Sequence, residues 1–392
     1  METYASLLES IQRIGAEVAS QFADDVDQAS RFPSESMAAL KEGKFLSAGV
    51  ASELGGAGLN IEQLASLCAN LGQHCSASAM ILAMHYIQVA SIAQHCNDEA
   101  PWLDYLRTLA NEQRLIASVT SEEGVGGEMR RSIAGVEANE NSFTLFKKAT
   151  TISYGAYADD LLITARRNAD AAANDQVLVL ALNGDFTITE QGTWDTFGMR
   201  GTCSAGGHVT AKGASWQVMS QNFADIAGET MVPYSHILWA ALWLGIATDA
   251  LSRTRSLVRK SARKQRGDIP VATHELTRIY SQHQAMRDGL FGVIREYQDL
   301  LNSDREQLLG MAFGIRINNL KLDASQHVLN IVSQAMQLAG VMAYKNGTPF
   351  SLGRHLRDAH SAVLMIHNQR IVEANASMQL VLRGNSDRQQ GF

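Results

Sequence analysis

Three kinds of side chain in this sequence could do chemistry. The first is histidine on apolar ground. His85 interrupts the run Met80-Ile-Leu-Ala-Met-His85-Tyr-Ile, and His367 directly follows Val363-Leu-Met-Ile366. An imidazole in such a setting can move a proton, or it can be a satisfied core residue. The second is concentrated positive charge. Arg253, Arg255, Arg259, Lys260, Arg263, Lys264 and Arg266 place seven cations in fourteen residues. A guanidinium can hold two phosphate oxygens at once; a solvated helix end favoured by the helix dipole is the simpler reading. The third is His beside Cys, at His74-Cys75 and His95-Cys96. Neighbouring helical residues point about 100° apart, so neither pair converges on a metal, and no metal site is expected.

Composition narrows the partners. Hydrophobic residues make up 46% of the 392 positions and charged residues 19%, which suits an ordered globular protein of two or three domains. Forty acidic residues against 33 basic ones give a net charge of −7. With no aromatics interleaved in the basic run, no nucleic-acid partner is expected. The cysteines (Cys68, Cys75, Cys96, Cys203) lack disulfide or zinc spacing, so reduced thiols and a cytoplasmic setting are expected. The N-terminus has no basic stretch leading into an apolar core, so no signal peptide is expected. The longest apolar stretch, around Ile237 to Ala247, is too short for a membrane span.

The elements that must position these residues follow from periodicity. From Tyr4 to about Leu109, apolar residues recur at three- and four-residue spacing, as in Ile61-Glu-Gln-Leu-Ala-Ser-Leu-Cys-Ala-Asn-Leu. Phe32-Pro33-Ser34 opens a helix with Ser34 as its cap. Gly55-Gly56-Ala-Gly58 is a turn. Between Arg114 and about Val218 come short β-rich runs at Ser142–Phe146, Leu161–Ala165, Val177–Leu182 and Phe186–Thr189, with Asn168–Asp175 as an exposed loop. Even spacing of this kind predicts a small β-barrel or sandwich. Long amphipathic segments follow at Ser235–Lys264, His274–Leu301, Glu306–Ala339 and Asp358–Leu382, and these predict a four-helix bundle. The expected class is therefore α+β multidomain, with a helical domain over 1–113, a central β domain over 114–224 and a helical bundle over 225–392.

Several motifs in this order resemble the acyl-CoA dehydrogenase superfamily. They are Phe32-Pro33 with Glu53-Leu-Gly55-Gly56-Ala-Gly58, Ser121-Glu122-Glu123-Gly-Val-Gly126-Gly127-Glu128, Ile152-Ser153-Tyr-Gly155-Ala-Tyr-Ala158-Asp159, Gly198-Met199-Arg200-Gly201-Thr202, Arg263-Lys-Gln-Arg266-Gly267 and Arg354-His-Leu-Arg357-Asp358-Ala. The resemblance implies FAD in a homotetramer or homodimer, or FMN in a monooxygenase. It implies that Thr120 and Ser121 bond the flavin's pyrimidine edge, beside the Gly126-Gly127 turn. Ile152 and Ser153 would cover the ring, and Arg263 would hold the pyrophosphate. Gln337 and Gly340 would meet the adenosine end from a neighbouring subunit, and Asn368 would replace a flavin-contacting Thr.

The departures bear on the reaction. The expected Trp is Thr151, the Phe after the basic pair is Arg266, and the Thr-Glu-Pro loop reads Ser121-Glu122-Glu123. The family's proton-abstracting Glu falls at Ile366, and the alternative base position falls at Ser235. Asp358 and Glu373 lie roughly 10 to 12 Å away along a helix, too far to substitute. The resemblance ranks an FAD oxidoreductase on an acyl thioester, with an atypical base, first. A reduced-flavin monooxygenase comes second, with His85, Ser153 and His367 as its catalytic set. A flavin-binding homologue without catalysis is third.

Overall fold

The computed structural model describes residues 3–96, 98–263 and 271–382. The chain divides into two compact units, Met1–Ser235 and His236–Phe392.

The first unit opens with helices whose apolar stripes face one core. Helix α1 (Tyr4–Ile14) buries Leu7, Ile11 and Ile14, and Thr3 caps it by accepting from the Ser6 amide. A π-turn (Gly15–Ala19) leads into α2 (Ser20–Ala29). Next come α3 (Ser34–Glu42) and α4 (Ile61–Gly72), the latter started by a reciprocal Asn60–Gln63 capping box. Pro33, rather than Ser34, takes the cap position of α3. A proline there loses nothing, because its missing N–H would have no helical partner. Helix α5 (Ser76–His95) is buried nearly all round, and α6 (Ala100–Glu112) follows.

The central region forms two separate sheets, not a closed barrel. Strand β1 (Ile116–Val119) pairs parallel with β4 (Asp160–Arg166), which pairs antiparallel with β5 (Gln176–Ala181). The second sheet runs β2 (Glu137–Ala138), β3 (Ser142–Ala149), β7 (Gly207–Ala214), β6 (Phe186–Thr189). Strand β5 is buried throughout and β4 nearly so, whereas β3 alternates buried and exposed. That contrast separates a strand covered on both faces from one with a wet face. A short α7 (Phe223–Ile226) and a second π-turn (Ala227–Met231) complete this unit.

The second unit is a helical bundle built on α8 (Val232–Ala262), α9 (Val271–Ser303) and α10 (Met311–Ala339). Helix α9 buries Ile279, Met286, Leu290, Val293 and Tyr297, and α10 buries Phe313, Ile317, Leu320, Ala324, Val328 and Ile331. Steps of three, four and seven keep each set on one face. Short α11 (Val341–Tyr344), α12 (Gly353–Ser361) and α13 (Asn368–Val381) pack alongside. His355 on α12 bonds Asp249 on α8 at 2.7 Å, and Arg253 shares that carboxylate at 2.7 Å. The single helix expected from Asp358 to Leu382 is broken by a turn at 362–367, inside which Ile366 adopts φ +45°. No Gly or Pro marks the break, so periodicity alone could not reveal it.

Two helical stretches, Ser76–His95 and Phe223–Ala262, are long and apolar enough to span a membrane by length and composition. Their most apolar windows are 89% and 94% buried, as in core helices.

A buried electrostatic tie in the first unit joins α6 and the residue just past it, Arg114, to β4. Asp160, fully buried, accepts from Arg114 at 2.6 and 2.8 Å, from the Tyr105 hydroxyl at 2.9 Å and from the Asn183 amide at 3.0 Å. Removing the cation would strand a buried carboxylate, at a cost of about 3 kcal/mol. Arg114→Met is therefore expected to lower stability by about that amount in urea titration, with the slope unchanged.

Candidate functional site

In the first unit, the candidate cofactor residues converge from three segments. Strand β1 leads directly into Thr120 and Ser121, both half-buried. The Ser121 hydroxyl donates to the Thr151 carbonyl at 2.7 Å and accepts from the Thr151 amide at 3.0 Å. The structure thus brings Ser121 against the segment carrying Ile152 and Ser153. Ile152 is buried, and its amide bonds Ala205 at 3.2 Å. Ser153 accepts from Ser204 at 2.9 Å, and Ser204 is within 2.8 Å of the Thr202 hydroxyl. A chain of hydroxyls therefore links Ser153 to the Gly198-Met199-Arg200-Gly201-Thr202 motif. That motif is anchored in turn: Arg200 bonds the Asp27 carbonyl at 2.7 Å. A Cβ on Gly201 would come within 2.3 Å of Val26.

A buried pair missed by sequence reasoning holds the same region. Lys147 on β3 donates to the carbonyl and hydroxyl of Thr164 at 2.6 and 2.8 Å, and lies 3.7 Å from Glu122. Burial pushes its amine down to about 8, with Glu122 pulling the other way. Glu122 also accepts from Ser132, Ile133 and Ala134 at 2.6, 3.1 and 2.7 Å. These bonds close the loop containing Gly126 and Gly127, whose φ values of +63° and +78° suit glycine. The Glu of the Ser-Glu-Glu motif thus serves as a loop clamp. The alternation of β3 places Lys147 on the inward face with Phe143, Leu145 and Ala149; its charge disguised it in the sequence, because a lysine is rarely fully buried.

His85 leaves the catalytic set. It is fully buried, and both ring nitrogens are taken by backbone. Its Nδ1 accepts from the Ile116 amide at 3.1 Å, so the proton sits on Nε2, which donates to the Leu46 carbonyl at 2.7 Å. Burial pushes its pKa down to about 4. The ring pins α5 to β1 as a neutral spacer.

In the second unit, the candidates gather around the turn at 362–367. Lys321 on α10, fully buried, donates to the Ile366 carbonyl at 2.9 Å and to Asn368 Oδ1 at 2.5 Å. The Asn368 amide donates to Ser325 at 3.0 Å. His367 is exposed and caps α13, its Nδ1 accepting from the Gln369 amide at 3.2 Å. Gln337 and Gly340 line one open, mainly apolar depression with Ser333, Met336, Val341 and Tyr344. Gly340 ends α10 at φ +62°. Arg263 is exposed just past α8; of its companions, Arg253 is paired with Asp249, and Lys264 and Arg266 lie outside the described residues. Among the described residues, no cluster of His, Cys, Asp and Glu could hold a metal.

The comparisons agree with this architecture. Residues 1–112 match the acyl-CoA dehydrogenase N-terminal domain and residues 226–365 the acyl-CoA dehydrogenase C-terminal domain. The chain belongs to the acyl-CoA dehydrogenase superfamily. No curated protein matches by sequence. Among solved structures, FMN-bound TdsC from Paenibacillus sp. A11-2 superposes with a TM-score of 0.81 at 18% identity, covering 96% of this chain and 98% of that one. Butyryl-CoA dehydrogenase from Megasphaera elsdenii gives 0.80 at 18%, covering 97% and 98%. A nitrososynthase from Micromonospora carbonacea var. africana gives 0.79 at 15%, covering 97% of each. At these identities the likeness speaks for the fold.

The His85 assignment has a pH signature. Its ordinary pKa of 6.5 applies to the unfolded chain, whereas about 4 applies to the folded one. Between those values the unfolded chain binds the extra proton. The ring's contribution is therefore complete above about pH 6.5 and declines as pH falls toward 4, by about 3 kcal/mol in all. Thermal midpoints measured across this window are expected to fall more steeply for the wild type than for His85→Gln, which supplies an amide donor and acceptor but does not titrate.

Proposed function

We propose that this chain is a flavin-dependent oxidoreductase that uses reduced FAD or FMN to oxygenate a small molecule. When bound, the flavin supplies the two electrons; one atom of dioxygen passes to the substrate and the other leaves as water. The residues present fit such a group. Thr120 and the Ser121 backbone offer polar contacts for the ring edge, the Ser121 hydroxyl being already engaged with Thr151. Ile152 is buried within the segment that carries Ser153, and the Gly126–Gly127 turn allows close backbone approach. Arg263 suits a pyrophosphate, and Gln337 and Gly340 suit the adenosine end in a homotetramer or homodimer. FMN would leave these last three without a cofactor role. The four free thiols support a reducing, cytoplasmic setting.

One observation carries the choice of reaction. Dehydrogenation of an acyl thioester needs a base within reach of the α-proton. Ile366 cannot take a proton, and Ser235 is buried with its hydroxyl donating to the Met231 carbonyl at 2.6 Å. This reverses the order that the resemblance alone suggested.

The test begins with an absorption spectrum after adding FAD or FMN; no bound flavin would leave a scaffold role. Anaerobic mixing with a panel of acyl-CoA thioesters is expected to leave the bound flavin oxidised. Chemically reduced protein is then expected to consume oxygen faster when its substrate is present, with label from ¹⁸O₂ entering the product. Ile366→Glu is expected to stay unbleached by thioesters. Bleaching gained on restoring the carboxylate, where a general base contributes about 100-fold or more, would return the dehydrogenase reading.

A further inference from the structure

The break between α12 and α13 has no local cause. Ala362-Val-Leu-Met-Ile366-His367 contains neither Gly nor Pro, yet Ile366 takes φ +45°. A β-branched residue in that region is strained by about 1–3 kcal/mol, and such strain persists only when surrounding contacts enforce it. The enforcing contact is Lys321. The αL turn directs the Ile366 carbonyl to its ammonium at 2.9 Å, and Asn368 supplies a second oxygen at 2.5 Å.

The geometry points to Lys321 as a positioning residue, which holds the 362–367 turn and Asn368 in the arrangement that meets the cofactor. The cofactor half of this inference rests on the flavin reading above.

Three further observations support it. Both oxygens on the ammonium are uncharged, so the side chain is buried for its hydrogen bonds and not for a direct ion pair; burial pushes its amine down to about 8. Ser325 orients the second oxygen: its hydroxyl donates to the Leu322 carbonyl at 2.9 Å and accepts the Asn368 amide at 3.0 Å, which leaves Oδ1 facing Lys321. One turn pair further along, Asn375 joins Asn318 and Asn319 at 2.8 and 2.9 Å. A polar seam thus runs between α10 and α13, through Asn318, Lys321 and Ser325 on α10 and Asn368 and Asn375 on α13. The seam fixes where α13 starts, and so where the chain between the two helices must turn.

Amide hydrogen exchange across 362–368 tests the first half on the full chain without added flavin. Lys321→Met leaves two acceptors without their donor and is expected to speed exchange there about tenfold or more, while the α9–α10 core amides keep their rates. Unchanged exchange at 362–368 would overturn the proposal. Asn368→Ala removes only one acceptor and replaces Lys321→Met as the test variant should the latter not fold; a smaller rise is expected. For the second half, flavin affinity is measured by spectral titration. Lys321→Met is expected to bind about tenfold more weakly with a shifted visible band. The double variant with Asn368→Ala is expected to bind no more than about twofold more weakly than the worse single one, because the two act through one contact. Wild-type affinity and spectrum in Lys321→Met, or additive losses in the double variant, would overturn this half. A wild type that binds neither FAD nor FMN would defeat the functional reading, and the exchange measurement would still decide whether Lys321 holds the turn.

Discussion

A buried charge must be answered from inside the protein, and in this chain that requirement decides where the loops go. Asp160 is answered by Arg114, Tyr105 and the Asn183 amide. Lys147 is answered by Thr164 and Glu122. Lys321 is answered by the Ile366 carbonyl and Asn368. Each group removed from water would cost several kcal/mol if left without partners. The segments that supply the partners are therefore held in one arrangement: the start of β1, the glycine loop at 124–127, and the turn at 362–367.

These clamps lie next to the candidate cofactor residues, not at random points of the fold. Thr120 and Ser121 continue from the strand that His85 and Tyr154 tie down through Ile116. Glu122 closes the loop that presents Gly126 and Gly127. Asn368 is both a candidate flavin contact and one of the oxygens on Lys321. Side chains meant to meet a cofactor need to be held before it arrives, since ordering them on binding would subtract from affinity. Apolar packing supplies the bundle and the helical core, and the buried polar groups supply the placement.

Chemistry separates from fold at Ile366. Lys321 binds the backbone carbonyl at this position and not the side chain. A carboxylate there could serve as a base; isoleucine cannot.

Much of the architecture was legible in the sequence. Helical periodicity located the long helices to within a few residues, and β6 fell where its alternation placed it. The order of weak motifs pointed to the superfamily because each motif marks a loop with its own local geometry. What stayed hidden depended on distant partners. His85 reads as a core residue or a base until Leu46 and Ile116 are seen on its two nitrogens. Lys147 falls in register with the buried Phe143, Leu145 and Ala149, but a lysine there reads as core only once Thr164 and Glu122 are seen to receive its charge. The helix through 362–367 looks continuous because nothing in its own residues breaks it. The residue types by themselves determined the helical and β segments, and they place an isoleucine, which cannot act as a base, at position 366. The tertiary structure alone decided which polar groups are buried, and through them where the chain must bend, because the cost of burial falls due only when distant segments come together.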